Sequence, residues 1–243
     1  MNDLINRQNG ITLPLLLSIA LILLTIPVLM GADFWEKKEY TKWSKNECTK
    51  MLTKSPWAKE FSVSRSSGEA ETLDGQLPSI KYMIKFNSAL PVRYATIQMN
   101  RLQYKYDDLP DAQKQQFDQS ANQYLSARFP DIIVISVDFS TNVRNQQIPL
   151  DNYWQMQTTE LLKNKTYLYV SEDVKAPLME FVPGQTNFQF VFPRQIDGKP
   201  LITAEDKNVK LEFDVPEFGR MGGERALVEF KVEDMMFDNE LIY

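Results

Sequence analysis

Arg194, Glu205 and Asp206 form the most suggestive polar set in the sequence. A guanidinium offers a planar fork that grips a carboxylate or phosphate, so these residues could build a ligand-binding site. The competing reading is an ion pair that ties a loop between two strands, and the balance favours it. Asp107 and Asp108 offer carboxylates to calcium, but no loop ligands follow at the spacing such a site requires, so a helix-ending turn is expected. Glu233 and Asp234 alternate with apolar neighbours and read as the wet face of a strand. Trp35, Tyr40, Trp43 and Trp57 could form a stacking surface for sugars or peptides. Bulky aromatics are usually placed for burial, so packing of the first helix onto the body is the expected role. Arg194, Glu205, Asp206, Trp35, Trp43 and Trp57 are thus the candidate binding residues. No residue is assigned a catalytic or metal-binding role, and no cofactor is expected.

Two absences narrow the chemistry further. The chain of 243 residues has no histidine and one cysteine, Cys48. Ser-His-Asp and Cys-His catalysis, His-ligated zinc and imidazole acid–base chemistry are therefore removed. A single thiol cannot form an internal disulfide. The net charge of -5 and the lack of a basic cluster argue against a nucleic-acid partner. An enzyme would have to work with carboxylates alone, as a glycosidase with two acids about 5–10 Å apart does. The balance leans away from catalysis.

Residues 11–31 are an uncharged apolar run. About 20 apolar helical residues cross a hydrocarbon core, so the run is long enough to span. Three readings compete: a cleaved signal peptide with a poor cleavage site, an uncleaved anchor kinked at Pro14 and Pro27, and a prepilin-like leader at Gly10. The last departs from the pilin pattern at Leu15, where an acid is expected. No cysteine ends the run, which excludes a lipoprotein anchor. An uncleaved run would make the membrane itself a partner.

The elements that must position the candidate residues follow from periodicity. Ser44 and Glu47 fit a capping box, with Trp43 and Cys48 at hydrophobic-staple spacing and Pro56 stopping the helix that begins there. Ser44, Glu47, Cys48 and Pro56 are therefore read as structural. Strands are expected at 61–64 and 80–86. A helix opened by Pro91 should bury Ala95, Met99, Leu102 and Tyr106, and a second one near 112–128 should bury Phe117, Ala121, Tyr124 and Leu125. The β-branched run 132–137 reads as a central strand. One helix is expected from 149 to 162, with Tyr153, Met156, Leu161 and Leu162 inward. Short strands at 167–170, 178–182, 188–192, 209–215 and 227–232 suggest an antiparallel sheet or sandwich. The fold class is α+β, helical and mixed over 33–164 and antiparallel β over 165–243. Residues 1–32 are the leader or anchor, and the two later regions could form one continuous domain.

Three stretches carry a family likeness: Phe34-Trp35 through Ser55-Pro56-Trp57-Ala58-Lys59, Phe86-Asn87-Ser88-Ala89-Leu90-Pro91-Val92, and Phe190-Val191-Phe192-Pro193-Arg194 with Ile202-Thr203-Ala204-Glu205-Asp206-Lys207. Together with Phe230-Lys231-Val232-Glu233-Asp234-Met235 and Leu241 they resemble a family of uncharacterised exported bacterial proteins abundant in acidobacteria. Some proteins of that group carry a GWxTD module. No Gly-Trp-x-Thr-Asp string occurs here, so that label does not transfer. The likeness implies export and a shared fold, and it supplies no catalytic residue. The expectation is an exported protein of the periplasm or inner membrane, its body outside the cytoplasm. Its role would be a non-catalytic binding or structural module of the cell envelope with an envelope protein as partner. A carboxylate-based hydrolase and a pilin-like or secretion-system subunit are the alternatives.

Overall fold

The computed structural model describes residues 33–64, 72–171, 173–217 and 222–243. The apolar run at 11–31 lies outside them, and no helix among the described residues is long and apolar enough to cross a membrane. Two compact units divide the chain, 1–37 and 38–243. The described part of the first is a one-turn helix, α1 (Phe34–Lys37), in which Trp35 meets Phe34 edge to face at 5.0 Å.

In the second unit, α2 (Lys45–Lys54) starts where the capping box places it. Glu47 N donates to Ser44 Oγ, and Ser44 N donates to the Glu47 carboxylate at 2.8 Å. Cys48 and Met51 are fully buried beneath it. Ser55 ends the helix, bonding its hydroxyl to the Met51 carbonyl ahead of Pro56.

Five strands form one antiparallel sheet: β1 (Ala58–Ser64), β2 (Ser79–Phe86), β3 (Ile132–Thr141), β7 (Asn187–Pro193) and β6 (Glu180–Pro183), in that spatial order. Four more form a second: β11 (Arg225–Lys231), β10 (Asn208–Asp214), β4 (Tyr167–Ser171) and β5 (Val174–Pro177), while β8 (Gln195–Ile196) and β9 (Lys199–Pro200) make a separate small hairpin. Alternation fixes which residues face inward. Ile80, Tyr82, Ile84 and Phe86 of β2 oppose Thr141, Phe139, Val137 and Ile135 of β3. Phe188, Phe190 and Phe192 extend that apolar face, and all three are fully buried. Rings from the two sheets meet: Tyr82 with Phe213 at 5.7 Å, Phe190 with Phe213 at 5.6 Å, and Phe86 with Phe230 edge to face at 4.9 Å. The two sheets are therefore the layers of a sandwich around an aromatic core.

The α+β class is as expected, with helices mainly in the first half and strands mainly in the second. The sandwich nevertheless draws on the whole body, because β3 pairs with β7 over seven residues. Residues on either side of position 164 thus share one sheet.

Two helix readings need correction. Residues 147–162 form two helices, α5 (Gln147–Gln155) and α6 (Thr159–Leu162). Thr158 opens the second, accepting a bond from Leu161 N at 3.4 Å. The break resets the helical phase, so Met156 and Leu161 are exposed while Leu150, Trp154 and Leu162 are buried. Trp154 enters the core, 4.1 Å from Phe188 and 6.4 Å from Phe213. In α3 (Leu90–Gln103) the buried face runs through Pro91, Val92, Ala95 and Gln98, leaving Leu102 42% exposed. A reading by apolar residues alone skips the glutamine and drifts to the wrong face. The following helix, α4 (Asp111–Ser126), turns Ala121 inward with Phe117, Tyr124 and Leu125 half-buried beside it, as the spacing predicts.

Candidate binding groove

The expected polar set does not converge. The Arg194 guanidinium is spent on main-chain oxygens: Nε donates to Phe129 O at 2.8 Å and Ile132 O at 3.3 Å, and an Nη to Tyr243 O at 2.5 Å. It also lies over the Tyr243 ring at 4.3 Å. Burial pushes its pKa down, against the favourable contact with Tyr243. Asp206 accepts from Thr203 N at 2.7 Å and Thr203 Oγ1 at 2.9 Å, closing a local turn. Glu205 is exposed. The ion pair expected between Arg194 and these acids is absent; the guanidinium is held instead by the main-chain oxygens of Phe129, Ile132 and Tyr243.

The tryptophans serve packing in the body. Trp57 is fully buried, and its indole donates to Ile242 O at 2.6 Å. Trp43 is 2% exposed, donates to Lys38 O at 3.1 Å and meets Tyr94 edge to face at 6.5 Å. Tyr40 stacks flat on the same Tyr94 at 4.4 Å. Trp35 belongs to α1, in the other unit. Cys48 is buried in an apolar setting, which pushes its thiol up to about 11 and leaves it protonated near neutrality. Asp107 and Asp108 fall in a single 3-10 turn (Tyr106–Asp108), as the expected helix-ending turn, and Glu233 and Asp234 fall in another (Val232–Asp234), where the wet face of a strand was expected. Among the described residues no group of three acids or thiols could hold a metal ion.

Trp43 nonetheless lines a recess of about 420 Å³ with Thr41, Lys42, Gln98, Arg101, Leu102, Tyr106 and Asp107. Small-molecule sites span about 300–1,000 Å³. Three elements build it: the 3-10 turn Tyr40–Lys42, the last turn of α3, and the turn Tyr106–Asp108. Lys105 adopts a left-handed conformation, φ 50°, just past the end of α3. This is where helices reverse, and it folds Tyr106 back under the helix. The Arg101 guanidinium then lies 3.8 Å above the Tyr106 ring. The Tyr106 hydroxyl donates to Asp118 at 2.7 Å, and that bond raises its pKa. Lys114 Nζ donates to Asp107 O at 2.9 Å, against the outer side of the same turn.

Gln98 fixes the recess to the body. Its Nε2 donates to Trp43 O at 3.0 Å, so the amide cannot flip without setting two oxygens together. Its Oε1 is buried and lacks a hydrogen-bond partner. Lys42, Arg101 and Asp107 line the recess together with Trp43 and Tyr106, and Lys42 pairs with Glu39 at 3.4 Å. Such an arrangement can hold a small dipolar molecule, its acidic group on Arg101. Sequence reading reached Trp43 by its type. It missed Gln98 and Arg101, which lie off the apolar stripe read through Ala95, Met99 and Leu102. A glutamine at helical spacing from Pro91 and Ala95 was the available signal.

No family model matches the chain, and comparisons with curated proteins and with solved structures return no match.

Proposed function

We propose that this chain is an exported or inner-membrane-anchored protein whose body, outside the cytoplasm, acts as a non-catalytic binding module of the cell envelope. The likeness to uncharacterised exported bacterial proteins supports the location, as does the apolar run at 11–31. The observation that carries the binding role is the recess in which Arg101 is stacked on Tyr106 and oriented, with no carboxylate partner among the described residues, beside Trp43 and Gln98. Stacking holds a guanidinium in one plane while leaving its fork free for an anion. The ligand class this favours is a short peptide or comparable small molecule with a free carboxylate.

Isothermal titration of the full chain in detergent with trialanine, and separately with inorganic phosphate, tests this. Heat of binding to the peptide that weakens about tenfold or more in Arg101→Met is expected. Equal affinity in that variant, or no binding to either probe at millimolar concentration, would discard the reading. Protease added to spheroplasts should digest the body while a cytoplasmic marker survives. A protected body would discard the location.

A further inference from the structure

The sandwich has four edge strands, and two of them are blunted. β5 has four residues, ends on Pro177 and follows an irregularity between Tyr169 and Ser171. β6 also has four residues and ends on Pro183, and its Phe181 N–H is taken by Thr159 Oγ1 at 3.0 Å. Short length, proline and a covering helix are the usual protections of a sheet edge. β1 and β11 run to seven residues each without proline.

The pairing pattern shows which backbone groups of β11 are unused. Its flanks bond to the β10 side through Val215 N to Glu224 O at 2.9 Å and Val232 N to Lys207 O at 3.1 Å. In an antiparallel ladder hydrogen-bonded pairs alternate with non-bonded ones. The β10–β11 register sets Phe213 against Ala226, Leu211 against Val228 and Val209 against Phe230, and these continue the bonded series. Ala226, Val228 and Phe230 therefore spend their N–H and C=O groups on β10. Arg225, Leu227, Glu229 and Lys231 turn theirs away from it, and none of these has a backbone partner among the described residues. Their side chains alternate onto the solvent face, where Leu227 is 53% exposed.

We infer that β11 is a self-pairing edge, through which two copies of this chain join antiparallel across a two-fold axis at Leu227. Only residues with outward backbone groups can pair across such an axis, which leaves few registers. Centring on Val228 would set Arg225 against Lys231, and centring on Glu229 would set that acid against itself. Like charges directly opposite are unfavourable. Centring on Leu227 sets Leu227 against Leu227 and Arg225 against Glu229 in both directions. The exposed leucine is then covered and unlike charges meet. The new pairs also extend charge rows present in each copy, Arg225 with Glu212 at 2.8 Å and Glu229 with Lys210 at 3.6 Å. The β1 edge offers no such signal, since its outward residues Glu60 and Ser62 are polar. A two-fold contact uses the same patch on both copies and closes. The far edge of the joined sheet is the blunted β5, so growth stops at a dimer.

Size-exclusion chromatography with light scattering on the full chain in detergent, at micromolar concentration, tests this. A protein mass of twice 28.2 kDa is expected. Leu227→Pro removes one outward N–H and leaves the β10 ladder whole. It should weaken the dimer about tenfold or more, with unchanged circular dichroism. Glu229→Lys should weaken it similarly by opposing Arg225. Leu227→Cys should oxidise to a disulfide-linked dimer. Lys231→Cys, opposite Gly223 of the second copy, should not. A monomeric wild type, a dimer indifferent to Leu227→Pro, or equal cross-linking at both cysteines would overturn the inference. A different protein found paired on β11 would overturn it too.

Discussion

Tyr82 Oη and Trp154 Nε1 are buried polar atoms that form no well-aligned hydrogen bond, on rings that meet edge to face at 6.1 Å, where the indole N–H only partly offsets the effect of burial on the hydroxyl. Burial in the aromatic core pushes the Tyr82 hydroxyl far above its ordinary range. A buried hydroxyl without a well-formed partner contributes little net stability, so an apolar replacement of the same shape is nearly neutral or stabilising. Tyr82→Phe should therefore be neutral or stabilising by up to about 1 kcal/mol in urea unfolding. Destabilisation above about 1 kcal/mol would mean that the hydroxyl has an unrecognised acceptor. The same site shows what sequence can convey. Tyr82 lies on a clean alternating strand and its inward direction was readable. The central place of Trp154 was not, because it depends on a helix break at Gln157 and Thr158 that no proline or glycine marks.

At the scale of elements, the start of α2 is the part of the fold most legible in the sequence. Ser44-x-x-Glu47 is a local device, complete within four residues, and local devices survive translation into structure. The face of α3 was less legible because Gln98 is buried by a bond to Trp43, far along the chain. The capping box also has a pH signature. The Lys38 ammonium at 2.6 Å, together with the Ser44 amide, lowers the Glu47 carboxyl from 4.5 to about 2. The contribution of this group is whole above pH 4.5 and fades as pH falls toward 2. Replacing Glu47 by Gln should flatten that part of the stability–pH curve and leave the curve above pH 6 lower but parallel. An unchanged acid limb would show that the pair does not hold in solution.

For the whole molecule, Arg194 joins segments that no sequence pattern connects: the approach to β3 at Phe129, β3 itself at Ile132, and Tyr243. Its charge was visible in the sequence and suggested a ligand. Its actual acceptors are carbonyl groups, which every residue carries and which no motif can flag. Bonds from a charged donor contribute about 1.5–3 kcal/mol each, and removing the donor strands its partly buried acceptors. Arg194→Met should lower stability by about 3 kcal/mol, with far-UV and aromatic circular dichroism losing signal at one shared midpoint. Two separate midpoints would show that the halves flanking position 164 unfold independently, despite the β3–β7 ladder.

The bond from Trp57 to Ile242 spans 185 positions. A chain emerging from one end therefore cannot complete the surroundings of β1 until residue 242 is available. Distant pairings of this kind slow folding, to roughly milliseconds or seconds for sandwich topologies. The time a nascent copy spends open is thus set by connectivity, and helpers that hold unfolded chains would have longest to act on this one before Ile242 arrives.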